Sequence, residues 1–453
     1  MIQPRTLKGF RDQLPAQALA RENILDIARR VYRSYGFSPI DTPSLEYLEI
    51  LTGKGSEETD KQLYRFKDHG GREVGMRFDL TIPFARFCAQ HIATLGVPFK
   101  RYHMATVWRG ENTQRGRYRE FMQCDFDTIG TTSPLADLET VLVVHDLLSA
   151  IGLEQFTIRV NDRRVLSGIL EKFNLIEIST DVLRLLDKRG KVSVDTLSKE
   201  MQNIGVSQDS SRVLLEMAAL EGNADSVLSQ LHSLVDGSTL GEAGVESLRS
   251  LIKQVHDVGV PDGRITVDPS IARGLDYYTG IVLESFLDEL PALGSICSGG
   301  RYDNLAGLYT KQQLPGVGAS LGIDRLLAGL EELGKLTGIE TPAEVFLPYF
   351  DKQYLGQYLK IARALRCAGV AVEFFPEPKK LGNQLKNAAK KGVLFALILG
   401  SDEFESGSAQ LKHLDTQRTD TIHWQGKESN LVKEVQRALA SNHQNSIAFR
   451  SLQ

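Results

Sequence analysis

The sequence predicts an α+β fold carrying a helical insertion and a C-terminal α/β domain, and three observations predict it. Two β-compatible runs, residues 101–109 and 119–127, flank a nine-residue loop rich in charge and glycine, which reads as a hairpin with a functional loop. From about 174 to 255 the chain turns helix-rich and polar, with turn-like joints at KRGK, GNAD and DGSTLGEAG and little β-branched alternation. Beyond Pro342, VFLPYF, LGQYLKIARALRCAG, VAVEFF, a basic helix and VLFALILG alternate β, α, β, α, β, the order of a small domain on a mainly parallel sheet.

The remaining elements follow in chain order. Leu19, Ile24, Ile27, Ala28 and Val31 recur at helical spacing within 16–36, and Tyr35-Gly36 suits the helix end. FSPIDTPSLEYLEIL reads as a strand broken by Pro39 and Pro43 that runs into a short helix. Ser133 and Pro134 have the chemistry of an N-cap and a first helical residue, with Leu138, Leu142, Leu147 and Leu148 marking a helix to about Ile151. The strand FTIRV follows; after the insertion, β character returns at RITVD and IVLESFL. The stretch from Leu330 to Pro342, with Gly334 and Gly338, reads as a linker. These joints give a main domain in two parts, 1–170 and 256–330, an insertion at 171–255, a linker at 331–342 and a last domain at 343–453.

At 453 residues the chain has room for about three domains. Its 42% hydrophobic and 24% charged residues are ordinary for a globular protein and exclude collagenous, disordered and membrane-embedded classes. MIQPRTLKGFRDQLP holds no apolar core of a secretory signal, and no run approaches the ~20 apolar residues of a spanning helix, so the reading is intracellular, without a membrane partner. Fifty-three Lys and Arg against 57 Asp and Glu leave a net charge of −4, so any nucleic acid must be held by a local patch. Cys88, Cys124, Cys297 and Cys367 form no C-x-x-C pair and read as reduced structural thiols. The histidines show no ligand spacing, so a metal would arrive with a substrate.

Chemistry concentrates in RYHMATVWRGENTQRGRYREFMQCDFDTIG, residues 101–130. Period two puts Arg119, Phe121, Gln123, Asp125 and Asp127 on one face of the second run and Met122, Cys124 and Phe126 on the other. An ordinary solvated sheet face would look the same. Arg109, Arg115, Arg117 and Arg119, however, crowd the loop and repel one another unless an anion, acidic partners or solvent compensates them. Further clusters are SIARGLDYYTG at 270–280, with Arg273, Tyr277 and Tyr278, and SGGRYDNL at 298–305, with Arg301 and Tyr302. In PGVGASLGIDRLLAGL, Gly316, Gly318 and Gly322 precede an amphipathic helix carrying Arg325. This spacing is not the dinucleotide fingerprint, and no G-x-x-x-x-G-K-[ST] loop occurs, so a nucleotide would be held mainly by arginines.

Together these residues resemble the class II aminoacyl-tRNA synthetases, and specifically the histidyl-tRNA synthetase family, over nearly the whole chain. VWRGENTQRGRYREFMQCDFD resembles the second class motif, GVGASLGIDRLL the third and YGFSPIDTPSLE the first. ARGLDYYTG and SGGRYDNL resemble signatures of the histidine enzymes, and KGFRDQLP and MRFDLTIPFAR also match that family. The resemblance implies an antiparallel catalytic sheet flanked by helices, a C-terminal anticodon-binding domain, and a cytoplasmic homodimer that activates L-histidine with ATP and Mg2+ and charges tRNA(His). It assigns Arg109 to the α-phosphate, Glu111 to the adenine region, Phe121 to stacking on the base, Arg117 to the triphosphate and Arg325 to the γ-phosphate side. Arg273 would sit between the carboxylate and the α-phosphate and stabilise transition-state charge.

On the same resemblance, Asp127 and Tyr278 read the imidazole, Asp79, Thr81 and Gln123 hold the α-amino group, and Tyr277 and Tyr302 line the pocket. Many bacterial members have Pro-Glu-Gly-Thr where this chain has Phe78-Asp79-Leu80-Thr81, and Glu where Asp127 stands; both carboxylates are one methylene shorter here, as in the eukaryotic-type branch. Trp108 replaces the usual Phe or Tyr before the motif-two arginine. In the C-terminal domain, KKLGNQLKNAAKK at 379–391 holds five lysines and no acid, a solvated face or an RNA-backbone contact. The rival readings are a histidine-sensing regulatory paralogue of ATP phosphoribosyltransferase and a tRNA-binding pseudo-synthetase.

Overall fold

A computed structural model describes residues 1–53, 61–189, 192–271, 277–336, 341–425 and 427–443. Two compact units emerge, residues 1–11 with 24–329 and residues 12–23 with 330–453. The first is built on an eight-stranded sheet: β1 (Ser38–Pro39), β5 (Phe99–Trp108), β6 (Glu120–Ile129), β7 (Phe156–Asp162), β8 (Ile265–Val267), β9 (Ile281–Leu287), β10 (Cys297–Tyr302) and β11 (Gly316–Gly322). Their order is β1-β5-β6-β11-β10-β9-β7-β8. Only the two edge pairs, β1 with β5 and β7 with β8, are parallel, so the sheet is antiparallel at its centre.

The expected hairpin is present as β5 and β6, paired from Phe99 opposite Ile129 to Trp108 opposite Glu120. Alternation decides what each face does. Cys124 and Phe126 point to the apolar side, where the Phe126 and Tyr32 rings lie 5.0 Å apart and Tyr32 donates to the Cys124 carbonyl at 3.1 Å. Tyr32 belongs to the helix Pro15–Ser34, buried through Ile24, Ile27 and Ala28. Ser133 caps the helix Pro134–Ala150 by accepting from the Leu135 amide, as its sequence predicts. A smaller sheet, absent from the sequence reading, orders β2 (Leu45–Tyr47), β4 (Glu73–Met76) and β3 (Arg65–Lys67), with β4 central. It leads into the helix Thr81–Leu95, whose Phe84, Cys88 and Ile92 pack with Ile129 and Leu314. Helices then run from Ser179–Leu186 to Thr239–Asp257, and the last four are capped by a serine or asparagine where the chain enters, at Ser193, Ser207, Asn223 and Ser238.

The second unit holds β12 (Val345–Leu347), β13 (Val372–Phe374), β14 (Phe395–Ile398), β15 (Ser408–His413) and β16 (Thr419–His423), ordered β13-β12-β14-β15-β16. The expected β, α, β, α, β run is present, and both of its pairings are parallel. The sheet as a whole is mixed rather than mainly parallel, because β15 and β16 add antiparallel. Parallel strands need a crossover of a dozen or more residues, and the joins here, 399–407 and 414–418, are shorter.

Candidate active site

Strand register assembles the site. On the face that carries Asp127, the cross-strand row reads Arg101, Asp127, Gly318 and Gly300; the next row reads His103, Asp125, Ser320 and Ser298; the third reads Ala105, Gln123 and Gly322. The polar period-two face of β6 is thus the floor of a site. Glycine is required at 318 for space: a Cβ there would lie 2.2 Å from Asp127 Oδ1 and 2.3 Å from the Phe126 carbonyl.

One end of this floor opens into a cavity of about 220 Å³ lined by Arg109, Glu111, Arg117, Phe121, Gln123 and Arg325, together with Tyr118 and the buried Asp324. Three guanidinium groups from separated segments therefore meet around one space. Arg109 is steadied by donating through Nε to the Phe78 carbonyl at 2.8 Å, with its guanidinium 5.1 Å from the Phe121 ring centre. Arg117 stands 3.6 Å from Glu111, and Arg325 donates to the Ser295 carbonyl. Gly116, at φ +71°, brings the loop against Arg325: a Cβ there would lie 3.3 Å from the Arg325 Cα. Such a space fits a polyanion beside a flat ring.

At the other end the groups are more deeply buried. Asp127 accepts from the Tyr302 hydroxyl at 2.5 Å and pairs with Arg101 Nη2 at 2.6 Å. The Tyr277 ring lies 4.7 Å from Tyr278 and 6.2 Å from Tyr302. Asp79 accepts from the Ile82 amide at 3.1 Å at the start of the Thr81 helix, and Gln123 donates to Ser320 Oγ at 3.0 Å. Burial raises the carboxyls of Asp79 and Asp127 despite Arg101, and takes Asp125 from 3.8 to about 7. Among the described residues, the carboxyls of Asp79, Asp125 and Asp127 outnumber the buried guanidinium of Arg101, an arrangement that favours a cationic group at this end. Gln123 Oε1 and Asp125 Oδ1 are buried there without a hydrogen-bond partner among the described residues.

Arg109, Glu111, Arg117, Phe121, Gln123 and Arg325 thus share the cavity, Asp127 and Tyr302 are bonded on the sheet floor with Tyr277 and Tyr278 packed against Tyr302, and Asp79, in the field of Arg109 and Arg101, precedes the helix that begins at Thr81. Arg273 lies outside the described residues. Arg301 goes the other way: adjacent to Tyr302 and therefore on the opposite face of β10, it pairs with Asp137 at 2.8 Å and donates to the Thr131 and Ser133 carbonyls. Sequence reading missed Arg101, fully buried at 0% exposure, although it shares the parity of His103 and Ala105 on β5. In the second unit, Lys386 and Lys390 are exposed on one turn of the helix Leu381–Lys390, whereas Lys379 and Lys391 pair with Glu377 and Glu373.

Comparisons with known proteins agree with one another. The family model described as Histidyl-tRNA synthetase matches residues 9–326, and that described as Anticodon binding domain matches residues 344–437. A histidine–tRNA ligase of Rhodopirellula baltica is 56% identical over 442 residues, covering 97% of this chain and 100% of the relative. One of Wolinella succinogenes is 45% identical over 417 residues, covering 91% and 94%. The crystal structure of histidyl-tRNA synthetase from Nostoc sp. PCC 7120 matches with a TM-score of 0.88 at 34% identity, covering 97% of this chain and 100% of that one.

Proposed function

The chain belongs to the histidyl-tRNA synthetase family, and from that premise we infer how its residues divide the work. It is an enzyme that activates L-histidine with ATP and passes the histidyl group to the 3′ end of tRNA(His). The observation that carries the division of labour is the cavity shared by Arg109, Arg117 and Arg325 beside Phe121. In the first step a carboxylate oxygen of histidine attacks the α-phosphorus and pyrophosphate leaves, so two anions must approach. Arg109 on the α-phosphate and Arg273 between the reacting groups offset that repulsion, while Arg117 and Arg325 take the charge of the departing pyrophosphate. Phe121 stacks on the adenine, with Glu111 at its edge. In the second step a ribose hydroxyl of the tRNA attacks the acyl carbon and AMP leaves.

Asp127 accepts one imidazole N–H and Tyr278 meets the other nitrogen, which separates histidine from apolar amino acids because unpaired buried groups are costly. Asp79, Thr81 and Gln123 bind the α-ammonium, and Tyr277 and Tyr302 wall the slot. Mg2+ would enter with ATP as part of the substrate and would supply charge that offsets the phosphates.

We assign 1–170 and 256–330 to the catalytic domain, 171–255 to the insertion and 343–453, after a linker at 331–342, to tRNA recognition through the exposed Lys386 and Lys390. The working form is a cytoplasmic homodimer; the exposed Leu45, Tyr47 and Phe66 of the small sheet are an apolar surface of the kind a subunit interface covers. No described helix is long and apolar enough to cross a membrane. The regulatory-paralogue reading loses ground to the anticodon-binding match and to the 56% identity with a ligase. The test is amino-acid-dependent ATP–pyrophosphate exchange with each of the twenty amino acids. Histidine alone should drive it, and Arg273→Ala should lower the rate at saturation more than it raises either KM.

A further inference from the structure

We propose that residues 9–11 form a strap that fixes the spacing between two arginines of the nucleotide cavity, with Arg11 as its positioning residue. The proposal rests on the ATP-site reading above. Nothing in that reading uses this segment, yet it is anchored on both sides of the cavity. The Gly9 carbonyl accepts from the Arg119 amide at 2.9 Å. The approach is close: Gly9 sits at φ +86°, and a Cβ there would lie 2.7 Å from Arg119 Cγ and 2.9 Å from Thr113 Cγ2. Phe10 meets the Tyr64 ring edge-on at 6.1 Å.

Arg11 makes the crossing. Its guanidinium lies 3.7 Å above the Tyr118 ring and pairs with Asp324, whose side chain is 6% exposed. The other oxygen of Asp324 accepts from the Met122 amide at 2.9 Å. Tyr118 is the neighbour of Arg117 and Asp324 is the neighbour of Arg325, so Arg11 grips the chain one residue away from each of two cavity arginines. The design answers a physical need. Before ATP enters, Arg109, Arg117 and Arg325 repel across a shared space, and the loop that carries Arg117 includes Gly110 and Gly116. A tether from that loop to the start of the Ile323–Glu332 helix opposes the spread and keeps the arginines at triphosphate spacing. Arg11 touches no substrate; it acts through Asp324 and Tyr118.

The test uses the full-length protein with Arg11→Met, Asp324→Asn and the double variant in histidine-dependent ATP–pyrophosphate exchange, alongside thermal unfolding. Methionine keeps the stem of the side chain, and asparagine can still accept from the Met122 amide while losing Arg11. In Arg11→Met the KM for ATP should rise about tenfold, the worth of one hydrogen bond to a charged group. The KM for histidine should stay within twofold, and the double variant should be no worse than Asp324→Asn alone. An unchanged KM for ATP, equal rises in both KM values with a lowered melting temperature, or additive losses in the double variant would overturn the strap. Absence of histidine-dependent exchange in the unmodified protein would instead overturn the functional reading beneath it.

Discussion

Replacing Arg101 with methionine tests the buried end of the site. Arg101 is 0% exposed, so its charge is satisfied only by the protein: Nη2 stands 2.6 Å from Asp127 Oδ2, and the guanidinium lies 4.3 Å from the Phe84 ring centre. Unit charges at 2.6 Å attract by about 6 kcal/mol at an effective dielectric of ~20. Desolvation of both ions cancels much of that, and removing one partner of a buried pair costs about 3–5 kcal/mol overall. Methionine preserves the packing against Phe84 but leaves Asp125 and Asp127 without the cation that opposes the effect of burial.

The consequence for function follows from protonation. Burial already raises Asp127, and without Arg101 it rises further, so the carboxyl keeps its proton to higher pH and, while protonated, is a poorer acceptor for an imidazole N–H. A hydrogen bond to a charged group contributes about 1.5–3 kcal/mol, which translates to roughly a ten- to hundredfold higher KM for histidine. The KM for ATP should hold within twofold, because Arg101 is not among the groups lining the nucleotide cavity. The assay is exchange at pH 6, 7 and 8 in variant and unmodified protein. Their ratio of histidine KM values cancels the titration of histidine itself, and it should shrink as pH rises and Asp127 re-ionises. A ratio near one at pH 7 in a folded variant, or a ratio that ignores pH, refutes the assigned roles.

Other outcomes are open to simple measurement. Asp125 has a folded-state value of about 7 against an ordinary 3.8, so the folded protein holds its proton more tightly; its contribution to stability falls as pH rises through that window, by about 4 kcal/mol in all. Asp125→Asn should therefore flatten the pH dependence of the melting temperature between pH 4 and 8 and raise stability at pH 8, with little change at pH 4. Gly318→Ala puts a methyl 2.2 Å from Asp127 Oδ1 and should abolish histidine-dependent exchange while ATP binding, read by a fluorescent analogue, persists. Lys386→Glu with Lys390→Glu should leave exchange intact and weaken tRNA(His) binding; the slope of log K against log salt should become shallower by about one to two.

Much of this was legible in the sequence because the hairpin obeys a period of two. Once 119–127 is read as a strand, the face carrying Phe121, Gln123, Asp125 and Asp127 follows from the pleat, with no knowledge of the rest of the fold. Ser133-Pro134 fixed a helix start by local hydrogen bonding alone. What escaped depends on pairing between distant strands. Gly318 stands beside Asp127 only because β11 joins β6, and Arg101 reaches Asp127 only because β5 joins it on the other side. The mixed character of the C-terminal sheet was missed for a different reason, since the β15–β16 hairpin lies past the last alternating segment.

Arg101 and Arg301 show where the boundary lies between what local pattern can decide and what it cannot. Both are arginines within β-compatible runs, both are buried, and both pair with an aspartate. From the sequence alone Arg301 is the more attractive candidate, lying beside Tyr302 in a glycine-flanked cluster, whereas Arg101 sits in an unremarked approach to the loop. Strand parity reverses the ranking: Tyr302 faces Asp127, so Arg301 cannot, and its hydrogen bonds to the Thr131 and Ser133 carbonyls tie the helix start at Pro134 to the back of the sheet. Arg301→Met should accordingly lower the melting temperature while leaving both KM values within twofold, the opposite pattern to Arg101→Met. If the two substitutions behaved alike, the separation of the sheet into a chemical face and a structural face would fail.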